Sequence, residues 1–486
     1  MSEEILINIT PRETRVAVIE QGALQEIHIE RATYQRLVGN IYRGRVVRVL
    51  PGMQAAFVEI GLNKAAFLHL SDMLWSASEA TAPLQPMPEI HQLITEGQDI
   101  TVQVIKDPIG TKGARLTTHL SLSSRYLVFM PHLTHIGISQ RIEAPAERER
   151  LQHIIEGGKS EQGGYIVRTA AEGASAIELS AHQLYLQRYW HSLKQTIHHA
   201  APGTRVHQDL PLLLRALRDL VSVQTKKIRI DNQPDYTQAL IFAQDFIPNI
   251  VHRLVYYTQQ RPLFDLYQVE DEIQKALHRK VFLKSGGYLI FDQTEAMTTI
   301  DVNTGAFVGQ RNLEQTIVKN NLEAAVAIAR QLRLRNLGGI LIIDFIDMQD
   351  EAHKQQVLNA LEQALAGDNT KNKISQVSSL GLVEMTRKRT RESLEQILCQ
   401  PCPTCQGRGS IKSVETICNE IFRALLRFAR AYRGAHFLVL AAQEVVDRMH
   451  HEESMNVATL EQSLQRSIKF QIEILYTQEQ FDVVLI

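Results

Sequence analysis

Two aspartates stand in runs that otherwise read as core strands. Asp301 lies in Thr-Thr-Ile-Asp-Val-Asn-Thr-Gly (298–305), and Asp344 follows four aliphatic residues in Gly-Gly-Ile-Leu-Ile-Ile-Asp-Phe-Ile-Asp-Met (338–348). Burying an ionised carboxylate is costly unless it is paired or binds a metal. Either each Asp lies just past a strand end, capping a turn or pairing with an Arg, or the two share a magnesium ion. Magnesium takes one or two carboxylates and fills its remaining positions with water and substrate phosphate. Asn303, two residues after Asp301 and on the same strand face, could orient a carboxylate or a scissile phosphate through its amide. Asp347 is a weaker candidate because its strand is expected to end near Phe345.

Three further groups carry possible chemistry. The run Thr386-Arg387-Lys388-Arg389-Thr390-Arg391, with Arg330, Arg333 and Arg335 between the two acids, is either a solvated face or a set of phosphate ligands beside the metal. Phe57 and Phe67 fall on consecutive short strands, and Arg43, Arg45 and Lys112 supply charge nearby. Such a pattern suits base stacking along a nucleic-acid backbone, unless both rings belong to the core. Cys402-Pro403-Thr404-Cys405, followed by Gln406-Gly407-Arg408-Gly409, supplies two thiols where structural zinc wants four ligands. Cys399 and Cys418 complete the site within the chain, or two chains share one ion. A redox role is disfavoured because a Pro/Gly loop without a helix start is not expected to lower a thiol pKa.

The elements that must position these residues can be sketched from periodicity. Residues 5–30 alternate as a small antiparallel sheet. Strands at 39–50, 55–61, 65–70, 100–105 and 115–118 give the five of an OB barrel. Helical pattern covers 143–156, a strand 164–169, and a helix-rich stretch runs to about His199. Hairpin arms at 288–292 and 297–302, an amphipathic helix at 312–336 stopped by Gly338, and a strand into Asp344 would put the two acids on neighbouring strands. A helix at 414–431 and strands at 437–441, 470–475 and 481–486 close the chain.

Composition narrows the class. With 486 residues there is room for three or four domains. A formal net charge of -1 means that any nucleic-acid surface is a local patch. The acidic start Met-Ser-Glu-Glu lacks a signal-peptide pattern, and no run of apolar residues is long enough to span a membrane. Four cysteines, three of them crowded at 399–405, suit a metal site in a reducing compartment, so a cytoplasmic location is expected.

Taken together, Thr299-Ile300-Asp301-Val302-Asn303, Arg330-Gln331-Leu332-Arg333, Gly338 to Met348, Gly381 to Arg389 and Cys402-Pro403-Thr404-Cys405 resemble the ribonuclease E/G family over nearly the whole chain. The resemblance implies an α/β multidomain (α+β) fold. An RNase H-like domain (1–38 and 212–278) would hold an inserted S1-type OB barrel (39–118) and a 5′ sensor region (119–211). A DNase I-like catalytic domain (279–398), a zinc-link (399–415) and a small C-terminal α/β domain (416–486) would follow. By position, Asp301 and Asp344 would be magnesium ligands, with Asn303 their partner at the scissile phosphate. Arg168, Thr169 and Val128 would form a pocket for an RNA 5′-monophosphate, which a guanidinium fork and a hydroxyl suit. Ser124 and Lys371 stand where the family pattern elsewhere has Gly and Arg, and Lys lacks the planar fork. Cys402 and Cys405 would each give half of a zinc site shared between two subunits, leaving Cys399 and Cys418 as free thiols.

These readings converge on a magnesium-dependent endoribonuclease of single-stranded RNA, leaving a 5′-phosphate and a 3′-hydroxyl. Phe57, Phe67, Lys112 and Arg43 would grip the strand, and Arg168 and Thr169 would favour monophosphorylated ends. The resemblance implies ribosomal RNA precursors with some messenger and transfer RNAs as substrates and a homodimer as the assembly, with a tetramer as the alternative. A second reading keeps the barrel as a non-catalytic RNA-binding module and the acids as structural groups.

Overall fold

The structure is a computed structural model that describes residues 2–33, 36–74, 88–108, 113–158, 163–305, 313–368, 370–378, 380–432 and 436–486, the side chain of Leu313 excepted. The chain divides into two compact units, Met1–Ile397 and Leu398–Ile486.

In the first unit the chain starts with an antiparallel meander, β1 (Glu3–Ile9), β2 (Glu13–Glu20) and β3 (Ala23–Arg31). Its free edge is completed from far downstream: β14 (Thr225–Ile230) lies parallel to β1, and β15 (Leu254–Tyr256) lies parallel to β14. Ile5, Ile7 and Val16 pack with Leu213, Leu217, Ile228 and Ala243 in one core.

Between β3 and β14 the chain builds a barrel. β4 (Ile41–Leu50), β5 (Ala55–Glu59), β6 (Ala66–His69), β8 (Arg115–Thr117) and β7 (Asp99–Lys106) are hydrogen-bonded in that order, and β7 returns to β4, so five strands close on themselves. Strand alternation sends Tyr42, Val46, Val58, Leu68, Val102 and Leu116 inward. A further strand outside the expected span, β13 (Thr204–His207), pairs with β4 opposite Arg43. A four-stranded sheet follows the barrel: β9 (Leu122–Ser123), β10 (Leu127–Met130), β11 (Ile136–Ile138) and β12 (Gly164–Val167), in the order β11-β12-β10-β9. The helices Pro145–Gly157 and Ala176–His199 bury Leu151, Ile155, Leu179 and Leu186 in a core with Leu127, Phe129 and Tyr165 from this sheet.

The acids lie in a six-stranded sheet ordered β16 (Lys280–Phe282), β17 (Tyr288–Gln293), β18 (Met297–Asn303), β19 (Gly339–Asp344), β21 (Leu382–Arg387) and β20 (Asn372–Val377). Only β18 and β19 run parallel, and the helix Leu313–Leu334 makes the crossover that such a pair requires. That helix and Glu351–Leu365 cover one face, where Leu289, Ile300, Val302, Leu341, Ile343, Val383 and Met385 meet Ala325, Ile328, Leu332, Val357 and Leu361. The opposite face is partly open. Asp301 and Asp344 are exposed on it, so they are not acids buried in a core: the period of two that hides Ile300, Val302 and Ile343 turns both carboxylates outward.

In the second unit, β22 (Phe437–Ala441) is central, with β23 (Ile468–Ile472) parallel on one side and β24 (Phe481–Leu485) antiparallel on the other. The helices Val414–Ala431 and Gln443–His450 cover one face through Ile417, Ile421, Val445 and Met449. β23 starts two residues before the expected run 470–475 and ends three residues short of it, where a turn is closed by the Tyr476 N–H on the Glu473 carbonyl.

Candidate active site and nucleic-acid interface

Parallel register places Asp301 directly opposite Asp344. Side chains so paired point the same way from adjacent strands about 4.8 Å apart, which brings two carboxylates together on the open face. Desolvation, reinforced by the charges of Asp301 and Asp347, raises the Asp344 carboxyl above the ordinary Asp range. The site therefore holds negative charge not fully neutralised by the protein. Asn303 donates its Nδ2 hydrogen to Asp301 Oδ2 at 2.8 Å, fixing that carboxylate.

Two positions that sequence reasoning missed hold this arrangement. Asn321, fully buried on the crossover helix, donates Nδ2–H to the Ile346 carbonyl at 2.8 Å and accepts the Ile346 N–H at 3.2 Å. It thus fixes the backbone between Asp344 and Asp347. Gly287 lets its hairpin seat closely, since a Cβ there would lie 2.2 Å from Asn320 Oδ1 and 2.7 Å from the Asn303 carbonyl. A polar residue on the buried side of an apolar helix is the only local signal that pointed to Asn321.

The arginines between the acids are engaged elsewhere, which corrects their reading as phosphate ligands. Arg330 pairs with Glu272 at 2.5 Å and bonds the Leu24 carbonyl, while Arg333 reaches Glu20 at 2.6 Å and Glu26 at 3.0 Å. Arg335 is buried against Gln331 and the His278 carbonyl. These bonds join the crossover helix to the first sheet and its neighbouring helix. Within the basic run, Arg387 is buried in an ion pair with Asp368 at 2.6 Å, and Arg389 bonds the Gly338 carbonyl.

On the barrel, Phe57 and Phe67 are cross-strand partners, half-exposed, with ring centroids 6.0 Å apart and edge to face. Neither belongs to the barrel core. The same register aligns Arg48 with Phe57 and Arg115 with Phe67, so Arg48-Phe57-Phe67-Arg115 forms one outward row across β4, β5, β6 and β8. The His69 ring lies 6.3 Å from Phe67. Arg48 was missed because a bulge in β4 sets its register, and Arg115 because β8 joins β6 from beyond β7. Arg43 lies outside this row, next to Asp99 at 3.9 Å, where β4 pairs with β7 and β13. Lys112 lies outside the described residues.

Arg168 and Thr169 follow β12 directly, and Val128 sits on the adjacent β10 opposite Ile166. Arg168 is held on two sides, donating Nη1–H to the Ser124 carbonyl and Nη2–H to Asp219 Oδ1, each at 2.8 Å. Burial acts to raise the Asp219 carboxyl, but Arg218 and Arg168 outweigh it and hold it below the usual range. Arg218 in turn bonds Asp209 at 3.0 Å. The Thr169 hydroxyl lies 2.9 Å from that of Ser139. Ser124 is buried and bonds Leu127, so its side chain is occupied within its own turn; Lys371 is exposed.

In the second unit, Cys402 and Cys405 are close neighbours in a turn whose Gln406 N–H bonds the Cys402 carbonyl at 2.8 Å. Hydrogen bonds from the Cys405 and Thr404 backbone N–H groups lower the Cys402 thiol, contrary to the expectation that a Pro/Gly loop could not. Cys418 lies on the buried face of the helix Val414–Ala431, and burial raises its thiol to about 11. Among the described residues no group of three or more His, Cys, Asp or Glu side chains is placed to hold an ion. The four cysteines therefore do not assemble into one site within a chain.

Residues 121–390 match the ribonuclease E/G family, and residues 37–116 match the S1 RNA binding domain. The chain is 54% identical to Ribonuclease G of Escherichia coli strain K12 over 488 residues, spanning 100% of both chains. It is 50% identical to Ribonuclease G of Haemophilus influenzae, spanning 99% of both. Ribonuclease E of Escherichia coli is 36% identical over 430 residues, covering 87% of this chain and 40% of that one. With a closed barrel in the matched S1 segment and paired acids in the matched family segment, the chain belongs to the ribonuclease E/G family.

Proposed function

We propose that this endoribonuclease hydrolyses single-stranded RNA at a magnesium ion held by Asp301 and Asp344, and that it prefers 5′-monophosphorylated substrates. The observation that carries the reading is the register pairing of the two carboxylates on an open sheet face, with Asn303 bonded to one of them. Two oxygen donors of unrelieved negative charge fit magnesium, which keeps several waters and takes substrate phosphate as a further ligand. When bound, the ion would supply charge stabilisation at phosphorus and an acidified water. Asp301 and Asp344 bind and orient, Asn303 fixes the Asp301 carboxylate, and Asn321 holds the backbone that follows Asp344.

The Arg48-Phe57-Phe67-Arg115 row would hold the strand, bases against the rings and phosphate at Arg48, while Arg115 is paired with Asp72 at 2.8 Å. Arg168 and Thr169 would receive the terminal phosphate. Cys402 and Cys405 offer half of a tetrahedral zinc site, which fits an ion shared between two subunits of a homodimer. Cytoplasmic processing of ribosomal RNA 5′ ends, with some messenger and transfer RNAs, is the corresponding biological role. No helix among the described residues is long and apolar enough to cross a membrane.

The test is cleavage of a single-stranded oligonucleotide bearing a 5′-monophosphate or a 5′-hydroxyl, with magnesium and with chelator, by wild type and Asp301→Asn. Expected is magnesium-dependent cleavage by wild type, faster on the monophosphate, and loss in the variant. Equal persistence of both RNAs with wild type and variant, despite binding, would leave only the RNA-binding module. Cleavage of a deoxy oligonucleotide at a comparable rate would make the enzyme a general nuclease. Zinc removal should lower the mass in solution, and an unchanged dimer would count against the shared site.

A further inference from the structure

The open face that carries the acids continues past them toward the β16 edge. Register aligns Lys280, Ile290, Asp301 and Asp344 in one row and Phe282, Tyr288 and Asn303 in the next, all on the same side of the sheet. Phe282 is 73% exposed, unusual for a large apolar ring in a strand, while its neighbour Val281 packs toward the core on the other face. Lys280 Nζ stands 3.6 Å from the Tyr288 ring centroid and 4.9 Å from that of Phe282, so a cation lies between two aromatic faces.

We propose that Phe282, exposed beside the Lys280–Tyr288 cation–π pair, forms a stacking platform for a base of the single-stranded RNA next to the scissile phosphate. The inference rests on the reading of Asp301 and Asp344 as the cleavage centre. Phe282 is two strands from Asn303, about 10 Å across the sheet, so a chain lying over the acids passes onto the rings without leaving the face. A base stacks on an aromatic ring whatever its identity. Lys280 places positive charge where the backbone of that nucleotide runs, and it keeps the edge of an otherwise apolar strand wet. Charge and ring together fit a polyanion with planar groups better than an apolar protein surface. This platform is separate from the barrel row: it reads the nucleotide beside the cut, within the catalytic sheet itself.

The experiment uses the full chain and a single-stranded RNA with one cleavage site, intact or with one abasic nucleotide at each position around the cut. Phe282→Ala is expected to raise KM by about 5- to 140-fold, the range of one base–aromatic contact, with kcat within about twofold. Phe282→Trp should retain wild-type KM. One abasic position should weaken wild type by a similar factor and add little to Phe282→Ala. A KM for Phe282→Ala within twofold of wild type, or abasic losses fully additive with it at every position, overturns the platform. So does a fall in oligomeric mass with RNA affinity unchanged, which assigns the ring to a protein contact. Should Asp301→Asn cleave like wild type, the reading of the acids fails, and direct binding of the same abasic series still decides the platform.

Discussion

Asp301→Asn should stabilise the metal-free protein while abolishing its response to magnesium. The two carboxylates face each other across one strand spacing, and both are exposed, so a water-like dielectric applies. At about 5 Å the repulsion is roughly 0.8 kcal/mol in water, and salt reduces it further, leaving about 0.5 kcal/mol. Asn retains an oxygen that can accept the Asn303 amide hydrogen, so the local hydrogen bond of 2.8 Å survives and the charge alone is removed. In EDTA the transition of the first unit should rise by about 1–3 °C. Magnesium at about ten times its dissociation constant should add about 1.4 kcal/mol to wild type and nothing comparable to the variant.

The sign with pH follows from the raised Asp344 carboxyl. The folded state binds that proton more tightly than the unfolded chain, so the resulting stability is fully present below the ordinary Asp pKa and is lost as pH rises through the raised value. The gap between variant and wild type in EDTA should therefore close on acidification. Thermal unfolding with EDTA or magnesium, from neutral pH downward, reads all three effects. A variant that melts below wild type in EDTA, or an equal magnesium response in both, refutes the reasoning.

Other substitutions separate binding, sensing and architecture. Phe57→Ala should weaken single-stranded RNA binding by about 1–3 kcal/mol in a filter or anisotropy titration, with little change in melting because the ring is half-exposed. Asp219→Ala should lower kcat/KM on 5′-monophosphorylated RNA about 2- to 10-fold, the cost of re-ordering the freed Arg168 side chain, and leave 5′-hydroxyl RNA unchanged. Asn321→Leu strands the Ile346 N–H and carbonyl, so urea unfolding should show a loss of about 2–4 kcal/mol and the magnesium response should weaken. Asp368→Ala leaves a buried Arg387 without its partner and should cost about 3–5 kcal/mol in the same assay, with RNA affinity of the folded protein preserved.

What the sequence disclosed was local. Alternation in 288–303 and 339–344 located the hairpin, the strand and the acids, because the period of two is written in adjacent residues. Whether a residue faced core or solvent was harder, since Ile290, Ile340 and Ile342 make the open face look as apolar as the covered one. Arg333 finds Glu20 and Glu26, 313 and 307 residues away, and Arg330 finds Glu272, 58 residues away; no local pattern announces either pairing. Arg48 and Arg115 likewise acquire meaning only when the bulge in β4 sets its register and β8 pairs with β6. The barrel strands themselves were legible, whereas β13, which joins them from beyond the intervening sheet, was not.

The pairing of β1 with β14 also governs the order of events during synthesis. Ile5 waits for Ile228, so the first meander leaves the ribosome with an unpaired apolar edge. At about 5–20 residues per second, that edge stays open for roughly 10–45 s. The barrel, whose strands are all supplied between Ile41 and Thr117, can close in the meantime. Nascent chains paused before about residue 230 would thus carry a finished RNA-gripping module on an unfinished foundation, a stage at which the meander is most exposed to mispairing and most in need of a chaperone.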